Sequence, residues 1–204
     1  MTATVQNDSV IRTAGHRYFA GDRELLGVTR ILQLAGVTDF SAPWYTDWVK
    51  DRGQKVHEMI ALENEGTLDE ELVDDRLRGY LEGYRTFRAE VGGELEWHEQ
   101  IVADHVLGLA GTFDLMVRHP DDRSFRRRLY DIKPADEAAT AVQLAAYARL
   151  ARGLYSDTIL IDRFALIIPG DGTYKTIPCD NPQDDTVFLA ALRVAHWKHT
   201  HGRR

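Results

Sequence analysis

The sequence predicts an α/β fold in which a mixed central sheet is flanked by helices. Three observations carry that expectation. Apolar residues recur at helical spacing from Ser41 to about Glu65 and from about Asp69 to Val91, the period shortens to two across three segments after Gly93, and a helix, a strand pair and a last helix follow. This order is not the regular βαβα alternation of a dinucleotide-binding domain, and neither G-x-G-x-x-G nor G-x-x-x-x-G-K-[ST] occurs.

Residues 1–9 are polar and are expected to fray, and 10–27 form a hairpin turning at Ala20-Gly21-Asp22. Thr29 is placed as the cap of a short helix ended by Gly36. Helices follow over 41–65 and 69–91. In the second, Tyr80, Tyr84 and Phe87 make an apolar stripe, and Gly92-Gly93 stops it. The segments 94–104, 106–119 and 125–134 read as strands, the last two joined by a turn at 119–122. A helix rich in Ala and Leu spans 138–153, a hairpin turns at Gly170-Asp171-Gly172, and the final helix covers 184–199.

The 204 residues fit one domain over 1–204, with 44% hydrophobic and 28% charged residues, close to the globular average. No apolar run is long enough to cross a bilayer and the N-terminus lacks a signal-peptide pattern, so a soluble cytoplasmic protein without membrane partners is expected. Cys179 is the single cysteine, which excludes an internal disulfide framework and a four-cysteine iron–sulfur cluster within one chain. The net charge of -7 argues weakly against a purely electrostatic nucleic-acid binder, but the charge is unevenly spread. Eight acids and no base lie within 58–75, whereas 123–128 and 193–204 each hold four Lys or Arg and no acid. A polyanion finds local basic surfaces in such a chain.

The chemistry concentrates in Gly111-Thr112-Phe113-Asp114 and in Asp131-Ile132-Lys133. On a strand, Asp131 and Lys133 project from one face while Ile132 points to the other. With Asp114 on a neighbouring strand, two carboxylates can hold a hard cation such as Mg²⁺. Such an ion lowers the pKa of bound water and neutralises charge on a phosphoryl oxygen, while the lysine orients the water or steadies negative charge. Around this pair stand Arg52-Gly53 ahead of His57 on the first long helix, and Gln143 and Tyr147 four apart on the later one. Gly53 inside a helix suggests close packing or a kink.

In order, R-G-x-x-x-H, G-x-x-D, D-x-K and Q-x-x-x-Y resemble the PD-(D/E)XK nuclease superfamily, in particular its RecB-type branch. That branch includes recombination nuclease domains, CRISPR adaptation nucleases and phage exonucleases. The resemblance runs from about Val28 to Tyr147. It implies a restriction-endonuclease-like core and a Mg²⁺- or Mn²⁺-dependent DNA nuclease, with exonuclease action in phage or bacterial recombination or repair favoured. A catalytically silent nuclease-like DNA-binding or assembly subunit is the alternative. Asp114 and Asp131 match the metal-binding acids, Lys133 the catalytic lysine, His57 the metal-side histidine and the Ile132 carbonyl a further ligand. Gln143 and Tyr147 match the motif that holds DNA or the active-site groups.

Glu99 is where several relatives place another acid that supports a second metal, and Glu96 on the same strand competes for that role. The missing cluster cysteines set the chain apart from iron–sulfur members. Relatives that act processively often form rings, so a homo-oligomer or a recombination partner protein is to be tested beside DNA. Arg52, Arg126 and Arg128 are candidate phosphate contacts, the last two rivalled by a charged strand edge. Trp44 and Trp48 read as packing before base stacking, and His196, His199 and His201 as a frayed basic terminus.

Overall fold

The computed structural model describes residues 10–13, 15–38, 47–120, 125–155 and 158–202, the side chains of 47–50 excepted. Residues 1–9, expected to fray, the 119–122 turn from residue 121 onward, Trp44 and the Trp48 side chain lie outside that set.

The strands are β1 (Val10–Arg12), β2 (Tyr18–Ala20), β3 (Arg23–Gly27), β4 (Glu94–Asp104), β5 (Leu109–Arg118), β6 (Arg126–Lys133), β7 (Leu160–Ile167) and β8 (Lys175–Pro178). The helices are α1 (Val28–Ala35), α2 (Asp47–Glu65), α3 (Arg78–Val91), α4 (Ala138–Ala151) and α5 (Gln183–His201). The strands run in the order β1-β2-β3-β5-β6-β7-β8, with β4 on β5. β3 is parallel to β5 and β6 to β7, and the remaining pairs are antiparallel. The predicted mixed sheet with flanking helices is therefore the observed fold.

Its two faces are covered separately. Apolar residues of α1, α4 and α5 pack with Phe113, Met116 and Leu129, while α2 and α3 pack with Leu115, Val117, Tyr130 and Ile132. The Tyr80, Tyr84 and Phe87 stripe is buried as its spacing predicts, and Phe87 meets Tyr130 edge-on at 5.0 Å. α3 also closes tightly on the turn before β8. A Cβ at Gly79 would lie 1.9 Å from the Gly170 carbonyl oxygen, and the Gly79 carbonyl accepts from Gly172 N–H at 3.1 Å.

Four details depart from the sequence reading. Residues 10–27 form a three-stranded meander, because β1 also pairs with β2. α1 begins at Val28 with Gly27 as its cap and no side-chain capping bond, so Thr29 lies inside the helix. Residues 69–77 make two short 3₁₀ turns, because the Asp69 and Asp74 carboxylates accept from Glu71 and Arg76 N–H and compete with continuous helix. The C-terminal histidines are not frayed. α5 runs to His201, His196 Nε2 lies 2.8 Å from the Leu107 carbonyl, and His201 stacks on Trp197.

Candidate metal centre in a gap of the sheet

The site follows from how β5 shares its edges. β4 pairs along one edge from Leu109 to Arg118, so β3 and β6 must divide the other. β3 takes Leu109 and Ala110, β6 takes Leu115 to Val117, and the four residues between them have no ladder partner on that edge. Those four are Gly111-Thr112-Phe113-Asp114.

In place of a ladder bond, Asp114 Oδ2 accepts from the Ile132 N–H at 2.6 Å, which ties the gap to β6 beside Asp131. The alternation of side chains slips here, since Phe113 and Met116 belong to one core and Leu115 and Val117 to the other. Across from Asp114 in the β4 register stands Glu99, with φ at +45°, a left-handed conformation rare outside glycine and concentrated at functional sites.

Side chains from α2, β6, α4, β1 and β2 converge on this gap. α2 carries His57, whose Nδ1 lies 3.3 Å from Glu99 Oε1 and 3.4 Å from Asp114 Oδ1. From β6, Lys133 Nζ lies 2.7 Å from Asp131 Oδ2. α4 lays Tyr147 over Gly111, where a Cβ would come within 2.6 Å of the Tyr147 ring, and this close approach explains the glycine. Gln143 Nε2 donates to Tyr147 Oη at 3.0 Å. Finally, the N-terminal meander supplies Arg12, whose Nη1 is 3.4 Å from Glu99 Oε2, and Tyr18, whose hydroxyl bonds Thr112 Oγ1 at 3.0 Å.

The predicted set thus divides. His57, Glu99, Asp114, Asp131, Ile132, Lys133, Gln143 and Tyr147 surround the gap, and Arg52 lines a cavity beside it with Gly53, His57, Tyr80 and Ile132. Among the described residues a Cβ at Gly53 meets no atom within 4 Å, which corrects the close-packing expectation. Glu96 turns away to Arg127 and Tyr155, which leaves Glu99 as the acid at the site. Arg126 and Arg128 are not brought to it. Arg126 is ion-paired with Asp162 at 2.6 Å, and the two lie five and three residues before Asp131, roughly 16 and 10 Å along the strand.

The electrostatics are those of a cation site. Burial and the nearby Asp131 and Glu99 carboxylates, against the pull of His57, push the Asp114 carboxyl up to about 7. Burial lowers the His57 imidazole, but Asp114 and Glu99 outweigh it and raise it to about 9. Burial and then the Asp131 charge keep Tyr147 a neutral phenol.

Residues present fit a divalent ion. His57, Glu99 and Asp114 each offer one ligand atom, all within 4.8 Å of one another, and no other such trio occurs among the described residues. Oxygen ligands with one imidazole suit Mg²⁺ and Mn²⁺. Loading needs Asp114 ionised and His57 neutral, so protons compete with the cation. Mn²⁺ affinity is therefore expected to rise about tenfold per pH unit between 7 and 9, and more steeply below 7. Calorimetry in two buffers of different ionisation enthalpy would read the released protons directly.

No family model matches the sequence, and no curated protein does. The fold is similar to a solved structure from Eubacterium rectale assigned as an exonuclease. The TM-score is 0.52 over 88% of this chain and 83% of that one, at 11% identity. At that identity the likeness is one of fold. LHK-Exo, an alkaline exonuclease from Laribacter hongkongensis, is matched at a TM-score of 0.37 and 13% identity, over 86% of this chain and 92% of that one. Its complex with dAMP is matched at 0.29 and 15%, with the same coverage.

Proposed function

We propose that the chain is a divalent-metal-dependent deoxyribonuclease of the PD-(D/E)XK type and RecB branch, acting on DNA ends within one nuclease domain. The convergence of His57, Glu99 and Asp114 in the unpaired gap of β5, with the Asp131–Lys133 pair alongside, carries this reading. The fold likeness to the Eubacterium rectale protein assigned as an exonuclease supports it. Cytoplasmic action in phage or bacterial recombination or repair is part of the proposal. Among the described residues, no helix is long and apolar enough to cross a membrane.

His57, Glu99, Asp114 and Asp131, with the Ile132 carbonyl, would hold Mg²⁺ or Mn²⁺, and Glu99 would support a second ion. When bound, the cation acidifies water and neutralises charge on the attacked phosphoryl group. Lys133 presents a cation next to Asp131, placed to orient the nucleophile and steady the growing negative charge. Gln143 and Tyr147 supply an amide and a neutral hydroxyl from the α4 side. On the other side Arg52 rests over the Tyr80 ring at 5.8 Å, where it can meet a phosphate of the strand.

The test compares end-labelled linear DNA with closed circular DNA in Mg²⁺ or Mn²⁺. Linear substrate should disappear while circles survive. Asp131→Ala and Lys133→Ala should each slow the loss by roughly a thousandfold, as removal of a charge-stabilising group does elsewhere. Binding of DNA with no cleavage of linear, nicked or single-stranded substrate would instead mark a silent binding subunit. Degradation at the parental rate by both variants would refute the mechanism.

A further inference from the structure

β1 brings to the metal cluster a side chain that the motif series does not contain. Arg12 ends β1, and the tight turn after it is closed by Thr13 N–H to the Arg17 carbonyl and His16 N–H to the Thr13 carbonyl. The Arg12 Nη2 lies 2.7 Å from His16 Nδ1, and Nη1 lies 3.4 Å from Glu99 Oε2. Burial and the guanidinium hold His16 below its usual range, so its neutral ring accepts from Arg12. The two Glu99 oxygens are divided, one toward His57 and one toward Arg12.

A guanidinium cannot ligate a cation and does not give up its charge, so Arg12 is a resident counter-ion on an oxygen that a metal needs. Its hold on Glu99 is a single long contact, whereas its bond to His16 is short. A divalent ion arriving at Glu99 replaces the counter-charge and repels the guanidinium. The Arg12 side chain is 30% exposed, so its guanidinium can be reached from solvent. Freed from Glu99, its planar fork matches a phosphate oxygen pair.

We propose that Arg12 exchanges Glu99 for a phosphate of the bound DNA strand when a divalent cation occupies Glu99, so that cation loading releases a phosphate contact. This rests on the nuclease reading of the same site and adds a residue that couples cation to substrate. His16 is the pivot that keeps the guanidinium at the cluster in both states.

The exchange has a signature of opposite signs. In Arg12→Gln, calorimetry with Mn²⁺ and no DNA should show roughly threefold tighter binding or more, because the competing charge is gone. Binding of a short fluorescent DNA duplex in Ca²⁺, read by anisotropy, should weaken about tenfold or more, because a charge-assisted phosphate bond is lost. Arg12→Lys keeps the charge and should leave Mn²⁺ affinity parental while duplex affinity falls between the two. Loss of both affinities in Arg12→Gln, with Arg12→Lys also weakened toward Mn²⁺, would make Arg12 a prop for Glu99 and overturn the exchange. Unchanged duplex affinity in Arg12→Gln would overturn it as well. Should the parental chain bind no duplex with any cation, the nuclease reading falls. The Mn²⁺ comparison then still decides whether Arg12 competes for Glu99, tighter binding upholding the competition and weaker binding refuting it.

Discussion

Asp114→Asn is expected to abolish DNA cleavage and, in the absence of a divalent cation, to make the protein more stable. The carboxylate is buried beside Asp131 and Glu99, and its pKa is pushed up to about 7. In the unfolded chain it ionises near the ordinary value of 3.8. Between those two values the folded state binds more protons, so this group lowers stability as pH rises through the window and exerts its full penalty above 7. Asparagine keeps an oxygen to accept from the Ile132 N–H and carries no charge. The gain should be on the order of a few kcal/mol at pH 8 and should vanish below about pH 4. Melting curves from pH 4 to 8 with a chelator would show it, and a variant less stable than the parent at pH 8 would contradict the electrostatic account. Under the proposed function, cleavage should fall by at least roughly a thousandfold, since the oxygen that would anchor the cation has lost its charge.

Gly79→Ala is the second large effect, and Gly53→Ala is its counterpart. Both glycines sit in helices, yet their surroundings are opposite. A methyl group at residue 79 would press on the Gly170 backbone, which cannot yield without breaking the bond between Gly172 N–H and the Gly79 carbonyl. Overpacking of this kind costs about 1–3 kcal/mol, and the lost backbone bond adds to it. At residue 53 the methyl group meets open space, so the ordinary helix preference of Ala over Gly should stabilise by up to about 1 kcal/mol. Urea titrations of the two variants should move in opposite directions. Equal and small shifts would mean that α3 and the 170–172 turn are not packed as described.

The sequence revealed the parts of this molecule whose causes are local. Alternation on β6 placed Asp131 and Lys133 on one side of a strand, and the 3.6 period buried Tyr80, Tyr84 and Phe87. The order of motifs brought out His57, Asp114 and the Gln143–Tyr147 pair. What could not be read depended on pairing between distant segments. The choice between Glu96 and Glu99 is made by a bulge between Leu95 and Trp97, which shifts the register against β5 and sets Glu99 across from Asp114. Nothing in the local pattern of 94–104 marks that bulge. Arg12 and Tyr18 reach the site only because β3, the last strand of the meander, pairs with β5, a contact across some ninety residues of chain. The role of Gly111 likewise needs the ring of Tyr147 above it. Conversely, Arg126 and Arg128 stand close to Asp131 in sequence, on the same strand. Extended geometry carries Arg126 away from Asp131, and Asp162 on β7 claims it.

Anomalous diffraction from crystals soaked in Mn²⁺ would test the central claim most directly. A peak bounded by His57, Glu99, Asp114 and Asp131, lost in Asp114→Asn crystals, is the expected result. A map with no manganese in the gap of β5, from crystals whose protein still cleaves DNA in Mn²⁺, would contradict it.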